Sequence, residues 1–373
     1  MKKPTILIAS VLKPVDDTRM YEKFASSLSS HLTADITIIG NKSSNIPVHT
    51  LIRFIMIPVT NRLIWTRFLN GVRHLRVYFK SKPYLLIITT HELLWPALIL
   101  HFFSKTKIIY DVRENYFLNS KHTNAFPKIL RSLIAGYVRF KEIITSPSIA
   151  HFTLAESIYS TQLPFLKNRF TILQNKALSN PDQRFRKAEH RIRIIFTGTL
   201  AESTGIYEAI DLVVKLHQIE RDLQFTIVGY AALPSELKQI KNAIKKFRFI
   251  ELIGGDHLVP HDQIITAIRQ ADFGIIHYPD SPHTKDKVPT KYYEYLANQL
   301  PFLIESKSPL YQEAMSYPAC VSVDFRNPDE MDILANMKST KFYESIPTGV
   351  TWESEEVKLI DLVRNTIPIQ PAI

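Results

Sequence analysis

The hydrophobic positions of this chain fall into short unbroken apolar runs separated by amphipathic stretches. Thr5-Ile6-Leu7-Ile8-Ala9-Ser10 lacks polar alternation, as expected of a strand buried on both faces of a parallel sheet. Positions 18–31 place Tyr21, Phe24, Ala25 and Leu28 at helical spacing, and Asp35-Ile36-Thr37-Ile38-Ile39-Gly40 reads as the next strand. Strand, helix, strand is the right-handed crossover unit of α/β proteins. Leu85–Ile88, Lys107–Asp111, Phe152–Ala155 and Phe170–Leu173 continue the series.

The pattern breaks over 181–190, which are polar and charged without apolar period, and then restarts. Arg193–Gly198, Phe225–Gly229, Phe249–Gly254, Asp272–Ile276 and Pro301–Ile304 read as strands, with a helix from Ile206 to Gln218. The chain of 373 residues also exceeds the size at which single cores stop growing. The expected division is 1–185, 186–352, and a C-terminal helix and tail over 353–373.

Composition narrows the class. Hydrophobic residues at 45% and charged residues at 22% describe a globular chain. Cys320 is the only cysteine, so no intrachain disulfide forms; it reads as a core residue in a reducing, cytoplasmic setting. Met1-Lys2-Lys3-Pro4 leads into an apolar run too short for a signal-peptide core. The most apolar long window, Leu85–Phe103, carries His91, Glu92 and Pro96, which argues against a membrane span and for a soluble or peripheral protein.

Charge is uneven. Residues 1–185 hold 25 Lys and Arg against 10 Asp and Glu, a net +15, whereas 186–373 hold 21 against 25, a net −4. A basic half points to a membrane surface, a nucleic acid or a phosphorylated acceptor. Leu51–Lys82 interleaves Arg53, Arg62, Arg67, Arg73, Arg76, Lys80 and Lys82 with Phe54, Trp65, Phe68 and Tyr78. On a helix this suits an anionic membrane; it also suits a helix packed on the sheet with a basic outer face.

Candidate chemistry lies mainly in the second half. Seven of the 10 glycines lie beyond residue 190, and Gly198, Gly229 and Gly254 each end a strand, at the carboxyl edge where α/β sheets bind ligands. In Val288-Pro289-Thr290-Lys291-Tyr292-Tyr293-Glu294, Pro289 suits a first helical turn, and Lys291 and Glu294 share one face. First-turn N–H groups with a lysine beside them suit a phosphate, and a carboxylate one turn on can accept sugar hydroxyls. The same spacing also fits an ordinary amphipathic helix with a solvated ion pair. Neither GxGxxG nor GxxxxGK[ST] occurs, which argues against simple Rossmann dehydrogenases and P-loop NTPases; without HExxH or a Cys/His cluster, no metal site is expected.

That stretch, together with Phe196-Thr197-Gly198-Thr199-Leu200-Ala201-Glu202-Ser203-Thr204-Gly205-Ile206, resembles glycosyltransferase family 4. Asp16-Asp17-Thr18-Arg19 resembles its Pro-Asp-Asp-x-Arg segment, Thr90-His91-Glu92 through Pro96 its His-Asp-x-x-x-x-Pro segment, and Tyr110-Asp111-Val112-Arg113-Glu114 its Tyr-Asp-x-His-Glu segment. Thr351-Trp352-Glu353 and the following helix resemble its C-terminal segment, which tends to cross back to the first domain. The resemblance spans nearly the whole chain.

It implies a GT-B fold, two Rossmann-like domains with parallel sheets facing a central cleft. It also implies retaining transfer of a sugar from a nucleotide diphosphate sugar to a hydroxyl acceptor, without metal or other cofactor. The setting would be cell-surface polysaccharide or glycan biosynthesis, with an acceptor that could be lipid-linked and no nucleic acid as partner. Glu294 matches the glutamate that binds ribose, and Pro289, Thr290 and Lys291 match positions near the diphosphate. Gly198–Gly205 would lie under the phosphates, and Gly229, Ile253 and Gly254 would flank the base. Asp286, eight positions before Glu294, would contact the donor sugar or else belong to a solvated charge run. Asp16, Asp17, Arg19, His91, Arg113 and Glu114 fall on the acceptor side, with helix capping as the other role for the two aspartates and Arg19. Arg113, Glu294 and His91 are the candidates for catalysis.

Two departures stand out. Thr199 and Thr204 replace cations that neutralise the diphosphate, and Arg113 replaces the histidine facing the donor sugar. An arginine cannot serve as a general base. The alternatives to a transferase are a nucleotide-sugar epimerase, a non-catalytic binding protein of the same fold, or a nucleic-acid binder built on the basic half.

Overall fold

The computed structural model describes residues 3–43, 46, 48–59, 64–123, 126–179, 191–281, 284 and 287–371, the side chains of 64–68 excepted. The chain divides into two compact units, Met1–Asn175 with Trp352–Ile373, and Lys176–Thr351. The polar stretch 181–190 lies outside the described residues, as do Asp286, Lys285 and Arg62.

The first unit is built on seven parallel strands: β1 (Thr5–Pro14), β2 (Asp35–Asn41), β3 (Ile52–Met56), β4 (Leu85–Ile88), β5 (Lys107–Val112), β6 (His151–Leu154) and β7 (Phe170–Ile172). Their order is β3-β2-β1-β4-β5-β6-β7. The sequence steps out in one direction from β1 and then, from β4, in the other. In such doubly wound sheets the reversal point, between β1 and β4, marks where ligands bind. β1 and β4 pair Ile6 with Leu85 through Ala9 with Ile88, all fully buried, which is why these runs show no alternation.

The second unit repeats the scheme with β8 (Ile192–Thr199), β9 (Leu223–Tyr230), β10 (Ile250–Gly255), β11 (Phe273–Ile276), β12 (Phe302–Glu305) and β13 (Cys320–Val323), ordered β10-β9-β8-β11-β12-β13. Its core joins Phe196, Phe225, Ile227 and Leu303 to the helix Ile206–Ile219. Both sheets are parallel and helix-covered, so the chain consists of two Rossmann-like units, the α/β architecture of the GT-B class.

The C-terminal helix Glu353–Thr366 packs in the first unit. Trp352 stacks on Phe24 with ring centroids 5.7 Å apart, and its indole N–H donates to Ser27 Oγ at 2.9 Å. Glu355, fully buried, accepts from the Gln174 backbone N–H at 3.2 Å.

One expectation is corrected. Leu51–Lys82 is not one helix: Ile52–Met56 forms β3, registered on β2 from Ile36–Ile52 to Gly40–Met56, and among the described residues of this stretch the helix is Ile64–Ser81. β3 is an edge strand with Ile52 buried and Arg53 exposed, so its charge masked an extended run. Cys320 is buried in β13, and burial pushes its thiol up to about 12, so it is inert as a nucleophile near neutrality.

Candidate functional site

In the second unit three neighbouring strands each carry a glycine at the same level near their carboxyl ends. Gly198 pairs with Gly229, and Gly229 with Gly254, so three glycines lie in one row across the carboxyl ends of β8, β9 and β10. Packing requires two of the three: a Cβ on Gly229 would lie 1.8 Å from Gly198 O, and one on Gly254 2.5 Å from Gly229 O. Gly198 (φ +112°) and Gly254 (φ +86°) also adopt backbone conformations that side chains disfavour.

The loop after β8 closes on itself. Thr204 Oγ1 lies 2.7 Å from Thr199 O and 2.8 Å from Ala201 O, and accepts from the Ala201 N–H at 3.2 Å. Thr204 thus shapes the loop rather than supplying charge. Gly205, at φ +74°, starts the helix Ile206–Ile219; a Cβ there would lie 2.6 Å from His277 O. Loop and helix start are thereby set against the end of β11.

The helix Thr290–Ala297 begins directly after Pro289, which occupies the cap position. Tyr295 pins it to the sheet through a 3.1 Å hydrogen bond between its hydroxyl and Thr197 Oγ1, and Gly274 leaves room for the Tyr295 ring. Lys291 and Glu294 are 6% and 7% exposed, which rules out the solvated pair. The Lys291 ammonium sits 3.7 Å from the Phe196 ring centroid and 5.5 Å from that of Tyr278, without a hydrogen-bond partner. Burial lowers its pKa to about 7, with Glu294 acting in the opposite direction. Glu294 Oε1 lies 3.1 Å from His261 Nε2, at the start of the helix His261–Gln270. His277 is buried, stacks on Phe325 at 4.1 Å and faces Lys291; burial, then the Lys291 and Arg326 charges, depress its pKa to about 4. It is therefore neutral near pH 7.

His261 and His277 were not singled out from the sequence. The only cue to His261 was the helix-start pattern Pro260-His261-Asp262, and for His277 its place one residue beyond a strand.

In the first unit, two of the acceptor-side candidates, Arg19 and Arg113, converge on a residue that was read only as part of a motif, and a third, Asp17, joins them through Arg113. Asp111, fully buried in β5, accepts from Arg19 Nη2 at 2.7 Å, Arg19 Nε at 2.9 Å, Thr153 Oγ1 at 2.7 Å and Arg113 Nε at 3.1 Å. Arg113 Nη1 also donates to Asp17 Oδ1 at 2.8 Å. Burial opposes the charged form of both carboxylates, yet Arg19 and Arg113 outweigh it at Asp111, and Arg113 and Lys13 at Asp17, so both titrate below the usual range. Arg113 is held as a fixed cation.

The remaining candidates do not join this network. Asp16 accepts from Ser43 at 2.6 Å, and Glu114 accepts from Asn119. Asp17, a member of the network, also accepts from the Met20 N–H at 3.1 Å, in the first turn of the helix Arg19–Ala25, whose cap residue is Thr18. His91 Nδ1 lies 2.9 Å from Lys141 Nζ and Nε2 3.6 Å from Glu92 Oε1, with its ring edge-on to Tyr116 at 4.8 Å. As lysine only donates, Nδ1 accepts and Nε2 carries the proton.

No family model matches the chain, and no curated protein matches it by sequence. Solved structures match its fold. Sucrose-phosphate synthase from Thermosynechococcus elongatus superimposes with a TM-score of 0.72 at 13% identity, covering 97% of this chain and 99% of that one. Alr3699/HepE of Anabaena, in complex with UDP and glucose, gives 0.66 at 10% identity over 97% and 99%. The catalytic domain of starch synthase IV from Arabidopsis thaliana, bound to ADP and acarbose, gives 0.62 at 9% over 98% and 99%. At these identities the likeness is one of fold.

Proposed function

We infer that the chain is a glycosyltransferase that takes a sugar from a nucleotide diphosphate sugar and transfers it, with retention and without a metal ion, to a hydroxyl acceptor. The observation that carries this reading is one cluster within the second unit. A glycine row opens the strand ends, a helix N-terminus lies beside it, and behind it stand a buried lysine without a hydrogen-bond partner and a buried glutamate. The glycines let the ligand approach backbone closely. First-turn N–H groups and Lys291 oppose the charge that develops on the leaving diphosphate. Glu294 accepts from the ribose hydroxyls, with His261 holding its carboxylate in place. With Thr204 spent on its own loop, Lys291 supplies the cation for the diphosphate. Fold neighbours whose structures contain UDP or ADP support a nucleotide as the ligand class. Glycan assembly in the cytoplasm is the setting that the family resemblance favours.

In the first unit, Arg113 acts as a fixed cation for an anionic group of the acceptor, not as a base. A second reading, a binding protein of the same fold without transfer activity, is favoured by one observation: Arg113 is committed to Asp17 and Asp111. Incubation with a panel of nucleotide sugars and product analysis separates the two. Nucleotide diphosphate release that depends on an added acceptor supports transfer. Binding without release supports the second reading, and release without acceptor supports an epimerase or hydrolase.

A further inference from the structure

The helix Arg131–Thr145 is inverted relative to an ordinary surface helix. Its inward face buries Ala135, Val138, Lys141, Glu142 and Thr145, whereas Leu133, Tyr137, Phe140 and Ile144 are exposed. With Ile129 in the turn before it, these outward residues stand at helical spacing in one stripe; Ile129 is 93% and Leu133 71% exposed. A neighbouring helix, Leu94–Phe103, extends the stripe with Phe102 and Phe103, the latter 76% exposed. The Trp95 indole donates to the Tyr137 hydroxyl at 3.1 Å, and Phe103 meets Phe79 of the helix Ile64–Ser81 at 6.3 Å, so the three helices form one continuous face. In the second unit, the exposed large apolar residues among those described are instead scattered, at Ile219, Leu258, Met315, Met331 and Ile346. Contiguous apolar surface of this kind marks an interaction site.

Charge selects the partner. Across these helices and the turn before the last, the only carboxylate is Glu142, which is buried against Tyr110 and Arg139. Arg73, Arg76, Lys80, Lys105 and Lys128 are exposed on or next to these same elements. An apolar face on elements whose described exposed charges are all cations complements a bilayer with anionic headgroups, where the aromatics insert and the cations meet phosphates. No helix among the described residues is long and apolar enough to cross a membrane. We propose that this face of the first unit docks the chain peripherally on an anionic lipid surface. The proposal is independent of the nucleotide-sugar reading.

The test is flotation of the full chain with vesicles of phosphatidylcholine alone and of phosphatidylcholine mixed with phosphatidylglycerol. Binding is expected only with the anionic lipid and should fall as salt rises. The double variant Leu133→Gln/Phe140→Gln should bind at least about tenfold more weakly, from the lost apolar insertion. Lys128→Glu should cost about fivefold or more from the lost phosphate attraction. All three positions are exposed, so melting temperatures should not change. Absence of anionic-vesicle binding, or binding indifferent to the double variant, overturns the proposal. A dimer that the double variant converts to monomer, with no vesicle binding, overturns it in favour of a second copy as occupant.

Discussion

The ammonium of Lys291 lies 3.7 Å from the centroid of the Phe196 ring and has no hydrogen-bond partner, although the residue is only 6% exposed. A buried cation resting on an aromatic face destabilises the free protein unless an anion arrives. Lys291→Met should therefore raise stability at pH 6 by about 1–3 kcal/mol while weakening nucleotide diphosphate binding. The pH dependence has a definite sign. The unfolded lysine holds its proton up to 10.5, whereas the folded one releases it near 7. Between those values the unfolded state binds more protons, so the wild type gains stability as pH rises and the variant's advantage shrinks. Chemical denaturation of both proteins across that range measures this.

Binding of the diphosphate should restore the proton to Lys291. At about pH 8, calorimetry in buffers of different ionisation enthalpy should show proton uptake on binding, vanishing at about pH 6 and absent in Lys291→Met. Equal enthalpies in all buffers at the higher pH would mean that Lys291 does not meet the ligand's charge.

Gly229 has no space for a methyl group because Gly198 O occupies it. Gly229→Ala should force β8 and β9 apart at their carboxyl ends and cost about 1–3 kcal/mol. It should appear as a fall of several degrees in melting temperature, with nucleotide affinity reduced as well.

Breaking a buried ion network leaves its other charges uncompensated. Arg113→Met strands Asp17 and part of the Asp111 hydrogen bonding, and should destabilise by about 3–5 kcal/mol in denaturant titration. Both carboxylates titrate below 3.8 in the folded protein, so their contribution holds above that pH and is lost as pH falls through the depressed values. If the protein has no transfer activity, Arg113→His tests whether the cation is the reason, since histidine can accept a proton near neutrality. Acceptor-dependent nucleotide release appearing in this variant would assign the deficit to Arg113.

These features differ in how plainly the chain announces them. Strands buried on both faces read directly, because a parallel sheet turns Ile6–Ala9 and Phe302–Ile304 into unbroken apolar runs. The glycines at strand ends also read directly, since only a close backbone approach explains a Gly after each of three strands. β3 was hidden because an edge strand exposes polar groups, and β13 because four residues beside Pro318 give little periodicity. Spacing alone did not distinguish a solvated Lys291–Glu294 pair from a buried one. The difference is made by Phe196 and His261, which lie 95 and 33 positions away. Likewise the Asp111 network joins Arg19 to Asp111 across 92 positions, a pairing set by the β1 and β5 ends rather than by any local pattern.

The account's central claim is that the second unit holds a nucleotide diphosphate between the glycine row and the Thr290–Ala297 helix, with Glu294 on the ribose. Titration calorimetry of the full chain with UDP, ADP and GDP tests it most directly. At least one should bind, and Glu294→Ala should weaken that ligand by about tenfold or more through the loss of charge-assisted hydrogen bonds. Binding of none of the three by the folded protein, or full affinity in Glu294→Ala, would contradict the claim.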